Sequence, residues 1–249
     1  MKNHTSSNET ETKFSSTPSD SCETKSSSSC EVCGQRLTNI ICSTAPDVWK
    51  LLDHVKIKTK FKANQIIYYQ GNEPLGLYTV SSGLIKLETT SEEGQSHTLR
   101  YVGPGSALGY RSLFANENNS TTATAIEKSE ICFIPKVTVL EIFSKFPDVA
   151  LRVLQVLSKD LRLAEQKWTD QMDKEAPERI AEALIFLQDH FSHQNWTRRE
   201  IAEWAGTTPE TVIRTLAEFE KNGLIDQSEG RNIKITDRKK LIERFSPNH

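Results

Sequence analysis

Excess charge of either sign is missing from this chain: 31 Lys and Arg stand against 33 Asp and Glu, a formal net charge of −2 over 249 residues. Residues 174–249 repeat the balance, with 12 Lys plus Arg against 13 Asp plus Glu. Bulk attraction to nucleic acid is thereby excluded, and any such binding must come from local placement of Arg198, Arg199, Arg214, Lys221 and Arg231. No apolar run approaches the roughly 18 residues that cross a membrane, and no charged-then-apolar leader opens the chain, so a soluble cytoplasmic protein is expected. Catalytic patterns are missing too. The six His are scattered, and no GxSxG, HExxH or Gly-rich phosphate loop is present, so no enzyme activity is expected. Cysteine is sparse, at five residues. In a leaderless chain the cytosol keeps thiols reduced, so these read as metal ligands or redox groups rather than disulfides.

Large apolar side chains are also scarce in residues 1–29, a Ser, Thr, Asn, Glu and Lys tail that cannot bury enough surface to offset chain entropy, and disorder is expected there. Cys30-Glu-Val-Cys33 and Cys42 mark a second segment, 30–45. From Pro46 a helix of two to three turns is expected, with Val48, Leu52 and Val55 on one side. Between Lys62 and Pro135, short β-branched and aromatic runs alternate with turn signals every 8 to 12 residues or so, the pattern of an antiparallel sandwich or small barrel. The stretch Gly109–Asn119 reads as a plain loop. Pro147 to Met172 reads as one long helix with two stripes. Val149, Val153 and Val156 form one; Ala150, Leu154, Leu157, Leu161, Ala164, Trp168 and Gln171 form a heptad seam that must find a partner. The divisions expected are a sensor domain over 46–146, the long helix over 147–173 and a C-terminal domain over 174–249.

That C-terminal domain carries the most specific pattern. Thr197 and Glu200 form a capping box for one helix, which Gly206 ends. Thr208 caps a second, Pro209 fits its first turn, and Gly223 stops it. Val212, Leu216 and Phe219 are its buried stripe, leaving Glu210, Ile213, Arg214, Ala217 and Lys221 outward. A hairpin follows, from Leu224–Asp226 to Asn232–Ile235 with its turn at Gly230. Two short helices and a wing place a cation and a carboxylate where base edges can be read in a major groove. An ordinary helical hairpin, with Glu210 and Arg214 as a surface i,i+4 pair, is the plainer alternative.

The stretch GTTPETVIRTLAEFEKNGLI closely resembles the DNA-binding segment of the Crp/Fnr superfamily of bacterial transcription regulators. NQIIYYQGNEPLGLYTVSSGLIKL resembles the double-stranded β-helix (jelly-roll) sensor domain of the same superfamily. The resemblance implies an α+β chain: jelly-roll sensor, dimerisation helix, winged helix-turn-helix. It also implies a homodimer joined through Leu154, Leu157, Leu161, Ala164 and Trp168, bound to an inverted repeat in double-stranded DNA and acting with RNA polymerase. Glu210 and Arg214 would meet base edges, Thr208 and Arg231 phosphates, with Pro209, Thr211 and Ile213 beside them. Cyclic-nucleotide-binding members place a Gly-Glu pair on the ribose and an Arg-Ser pair on the phosphate. Gly109-Tyr110 and Asn119-Ser120 stand there instead, which argues against cyclic nucleotide binding, because a charge-assisted contact is worth roughly 1.5–3 kcal/mol.

Cys30, Cys33, Cys42 and Cys132 resemble the ligand set of the oxygen-sensing Fnr branch, which implies a 4Fe-4S cluster as candidate cofactor. Eight residues separate Cys33 from Cys42, more than is usual in that branch. Cys22 in place of Cys132, a thiol switch without metal, and a vestigial set of cysteines stay open. So does a rival class, a metal- or ligand-binding β protein whose C-terminal helices serve protein contacts.

Overall fold

A computed structural model describes residues 29–43, 45–228 and 232–245. The expectations for the tail, Cys22, Gly230 and Arg231 fall outside these residues. A 3-10 turn at Cys30–Val32 leads through successive turns to α1 (Pro46–Val55), whose first turn accommodates Pro46 because no amide donor is needed there. Val48 and Leu52 of α1 are buried.

Eight strands follow: β1 (Ile57–Phe61), β2 (Ile66–Tyr68), β3 (Gly76–Ser82), β4 (Ile85–Thr90), β5 (Ser96–Val102), β6 (Ala107–Leu108), then, after α2 (Tyr110–Ala115), β7 (Thr122–Ala125) and β8 (Ser129–Pro135). They form two four-stranded antiparallel sheets in the orders β1-β8-β3-β6 and β2-β7-β4-β5. Val80, Ile85, Leu87, Leu108, Ala123, Ala125 and Ile131 fill the space between them. Two expectations are corrected. The strand series begins at Ile57 rather than after Lys62, because IKTKF is an edge strand with no fully buried residue and a weak apolar signal. The stretch from Gly109 to Asn119 is not a plain loop: α2 buries Tyr110, Ser112 and Leu113. Gly109 makes that turn at φ +81°, where a Cβ would lie 3.2 Å from Gly76 O.

The helical half begins with α3 (Lys136–Lys145) and α4 (Pro147–Asp173). Val149 and Val153 of α4 are fully buried, each contributing roughly 1.5–3 kcal/mol, Val149 in a core with Leu77 and Ile134 of the barrel. The opposite face is open, with Leu154, Leu161 and Trp168 at 58%, 61% and 70% exposure. Leu157 is half-buried and packs on the core shared by α1, α3 and β8. Next come α5 (Ala176–Phe191), α6 (Arg198–Ala205), α7 (Pro209–Lys221), β9 (Ile225–Asp226), β10 (Lys234–Ile235) and α8 (Arg238–Phe245). Ile180, Leu187, Ile201, Val212, Leu216 and Phe219 make one core, and Tyr101 of β5 joins it by stacking on Trp204 at 5.3 Å.

Candidate DNA interface and cysteine centre

The C-terminal helices follow the caps written in the sequence. Thr197 and Glu200 complete a reciprocal capping box, Gly206 ends α6 in the left-handed conformation, and Thr208 Oγ1 accepts from Thr211 N at 3.3 Å to open α7. Burial of Val212, Leu216 and Phe219 turns Glu210, Ile213, Arg214, Ala217 and Lys221 outward. Glu210 and Arg214 are exposed, and neither forms an ion pair among the described residues, so they are not a surface pair with one another. Pro209 and Thr211 are half-buried beside them. Strands β9 and β10 pair through Asp226↔Lys234 and Ile225↔Ile235. Two cations of the motif have partners that the sequence reading missed: Arg198 donates to Gln227 Oε1 at 2.5 Å, and the largely exposed Arg199 donates to Glu203 at 2.9 Å.

The second constellation lies against strand β8 of the barrel. Cys30, Cys33 and Cys42, far from Cys132 in sequence, come to line one cavity with it, together with Lys56 and Lys58. The cavity holds about 30 Å³. Cys132 sits on β8 between Lys58 of β1 and Thr79 of β3. The N-terminal segment is docked on this wall. Ile41 is 1% exposed, Asn39 Oδ1 accepts from Ile41 N and Cys42 N, and Asp53 accepts from Ser29 Oγ at 2.8 Å and Cys30 N at 2.6 Å. Lys56 Nζ donates to Cys30 Sγ at 2.8 Å and to Asp53 at 2.7 Å. A hydrogen bond from Cys42, aided by Lys56 and opposed by burial, lowers the Cys30 thiol to about 7. The thiolate so favoured is the form that binds metal and reacts as a nucleophile. Cys42, hydrogen-bonded to Cys30 and buried, is pushed strongly up, and burial also raises Cys132. Burial would raise Asp53, but hydrogen bonds from Lys56, Cys30 N and Ser29 outweigh it and hold the carboxyl well below the usual range. Nothing in the sequence links Asp53 or Lys56 to Cys30 beyond their i,i+3 spacing near the end of α1.

The turn that Gly109 makes is tied to the long helix and to β5. Tyr110 is 2% exposed; its hydroxyl donates to Asp160 of α4 and accepts from Arg100 of β5 at 2.7 Å. Burial raises its phenol to about 12. Asn119 is buried and its carbonyl accepts from Gly71 N, a structural role. Beside it, Arg111 donates to Ser120 Oγ at 2.8 Å on the surface.

An antiparallel jelly roll, a long helix with an open apolar face and a winged helix-turn-helix define a class of two-part DNA-binding regulators. Residues 58–146 match the model of the cyclic nucleotide-binding domain, and residues 178–244 that of the Crp-like helix-turn-helix domain. The chain is 26% identical over 198 residues to the anaerobic regulatory protein of Aggregatibacter actinomycetemcomitans, covering 76% of each. It is 26% identical over 193 residues to the CRP-like cAMP-activated global transcriptional regulator of Mycobacterium tuberculosis, covering 74% of this chain and 86% of that one. The solved structure of TTHA1359, a transcriptional regulator of the CRP/FNR family from Thermus thermophilus, superposes with a TM-score of 0.62 at 29% identity, over 75% of this chain and 96% of its own. The chain belongs to the Crp/Fnr family and is a DNA-binding transcription regulator of that type. Among the described residues, no helix is long and apolar enough to cross a membrane.

Proposed function

We propose that this regulator takes a redox or oxygen signal at Cys30, Cys33, Cys42 and Cys132 and answers it through α4 and the helix-turn-helix. The observation that carries this reading is the meeting of four thiols, from two distant parts of the chain, around one cavity. The donor set suits a cluster better than a single ion. Among the described residues no three His, Cys, Asp or Glu side chains converge on one metal position, whereas four thiolates spread around a shared space are what a 4Fe-4S cluster requires. When bound, such a cluster supplies chemistry that oxygen can alter. Cys30, Cys33, Cys42 and Cys132 would hold it, with Lys56 and Lys58 offsetting their charge. The cavity of about 30 Å³ has room for little more than a water molecule, so holding a cluster requires residues 30–43 to stand farther from β8.

The segment is well placed to report its state. Ser43 Oγ accepts from Arg152 of α4 at 2.7 Å, and Ile41, Cys30 and Cys42 share a core with Val149, Val156 and Leu157 of the same helix. Through the outer stripe of α4 the chain pairs with a second copy; Glu210 and Arg214 of each copy read base edges, and Thr208, with Arg231, meets phosphate. The domain limits 46–146, 147–173 and 174–249 follow this division of labour, in a cytoplasmic protein that works with RNA polymerase. Strictly anaerobic purification followed by an absorption spectrum and iron and sulfide assays tests the signal. Stoichiometric iron and sulfide are expected. Iron-free protein would leave the second reading, a thiol switch, which the Cys30–Cys42 hydrogen bond and the lowered Cys30 thiol favour.

A further inference from the structure

The barrel-facing stripe of α4 changes character along its length. Val149, Val153 and Val156 pack as apolar side chains, but one and three turns further on the same face carries Asp160 and Lys167. From there α4 is held to the barrel by polar ties, and both reach β5. Arg100 Nη1 lies 2.6 Å from Asp160 Oδ1, and Lys167 Nζ donates to Thr98 O at 3.2 Å. Tyr110 closes the first tie into a ring. Its hydroxyl donates to Asp160 Oδ2 and accepts from Arg100 Nη2, and the Arg100 guanidinium lies 5.7 Å from the centre of its aromatic ring. The three groups come from three elements, and Asp160 immediately precedes Leu161 of the open seam. A half-buried carboxylate and guanidinium that satisfy each other and a phenol fix orientation as well as position, because each needs its partners to offset desolvation.

We propose that Tyr110, Asp160 and Arg100 act as an internal clasp between the barrel and the long helix. The ring spans the gap between the turn after Gly109 and α4. It sets the rotation of the second half of α4, and with it the way the seam is presented to a second copy. The inference rests on α4 being the dimerisation helix; it does not depend on what the cysteines bind.

Tyr110→Phe keeps the buried ring and removes the hydroxyl, and Asp160→Asn removes the charge. Each is measured by sedimentation equilibrium, by operator titration and by hydrogen exchange over residues 157–167, with melting curves to establish folding. About tenfold weaker dimerisation, a parallel loss of operator affinity and about tenfold faster exchange are expected for each, as is usual for losing a charged hydrogen bond. The double variant should be little worse than either single one, because the ring is already broken. Unchanged exchange and dimerisation in both variants would overturn the proposal. A monomeric wild type would refute the dimer reading alone, since the exchange measurement still reports whether the ring holds α4.

Discussion

Arg214 illustrates what a single side chain contributes. It stands exposed on α7 one turn beyond Glu210, with no ion pair among the described residues to compete for its guanidinium. The fork geometry suits guanine, so Arg214→Ala should cost about 1–3 kcal/mol and relax the preference at one base pair. A titration against operators varied one position at a time checks this, and a variant as selective as its parent would remove Arg214 from base reading. Cys132 is the second case. It sits half-buried on β8 and lines the cavity with the three N-terminal thiols, so Cys132→Ser should abolish bound iron. Cys22→Ser should leave it intact. Full iron occupancy in the Cys132 variant would assign the fourth ligand to another residue. Asp53 and Lys56 are the residues that sequence reasoning did not find. Their roles come from a clamp on Cys30 that joins positions 23 and 26 residues apart in sequence, with no periodicity to announce it.

The long helix α4 has two faces with different obligations. Its apolar barrel stripe is satisfied within the chain, while Leu154, Leu161 and Trp168 stay open. Leu161→Glu would set two like charges against each other in a two-fold seam, and dimerisation should weaken by at least about tenfold, with operator affinity falling in step. Sedimentation showing an unaltered dimer would take Leu161 out of the interface. Lys167 of the same helix lies at a three-way junction, 4.3 Å from the centre of the Trp204 ring of α6 and bonded to Thr98 of β5. Burial lowers its ammonium to about 8 from an ordinary 10.5. In that window the unfolded chain binds the proton that the folded chain has lost, so this group makes stability rise with pH from about 8 towards 10.5; below 8 the full cost of the buried charge remains. The melting temperature of wild type minus that of Lys167→Met should climb across this range. A flat difference would show that Lys167 titrates normally.

At the scale of the whole molecule, the wing and recognition helix share a core with the barrel through Tyr101, Trp204 and Trp196, whose rings lie 4.7–5.3 Å from that of Tyr101. A two-fold pair of such chains presents two recognition helices about one DNA turn apart, so footprinting should reveal an inverted repeat with half-sites roughly 34 Å between centres. Protection of a single half-site, or of direct repeats, would contradict that symmetry. Much of this architecture was readable in the linear order of residues. Caps at Thr197 and Thr208, the stop at Gly206, the stripe Val212–Leu216–Phe219 and the buried stripe of α4 at Val149 and Val153 are local rules with periods of a few residues, and each appears where the residues placed it. Strand β1 and helix α2 were not readable. An edge strand can remain half-exposed without alternating strongly, and the first helical residue of α2, Tyr110, owes its burial to partners on β5 and α4 that are distant in sequence. The same division holds for the sites. Residues of the recognition helix lie on one helical face, so spacing alone assembles them. The cysteine cavity and the Arg100–Tyr110–Asp160 ring join side chains up to 102 and 60 residues apart, and only the docking of the N-terminal segment against β8 and of α4 against the barrel brings such groups together.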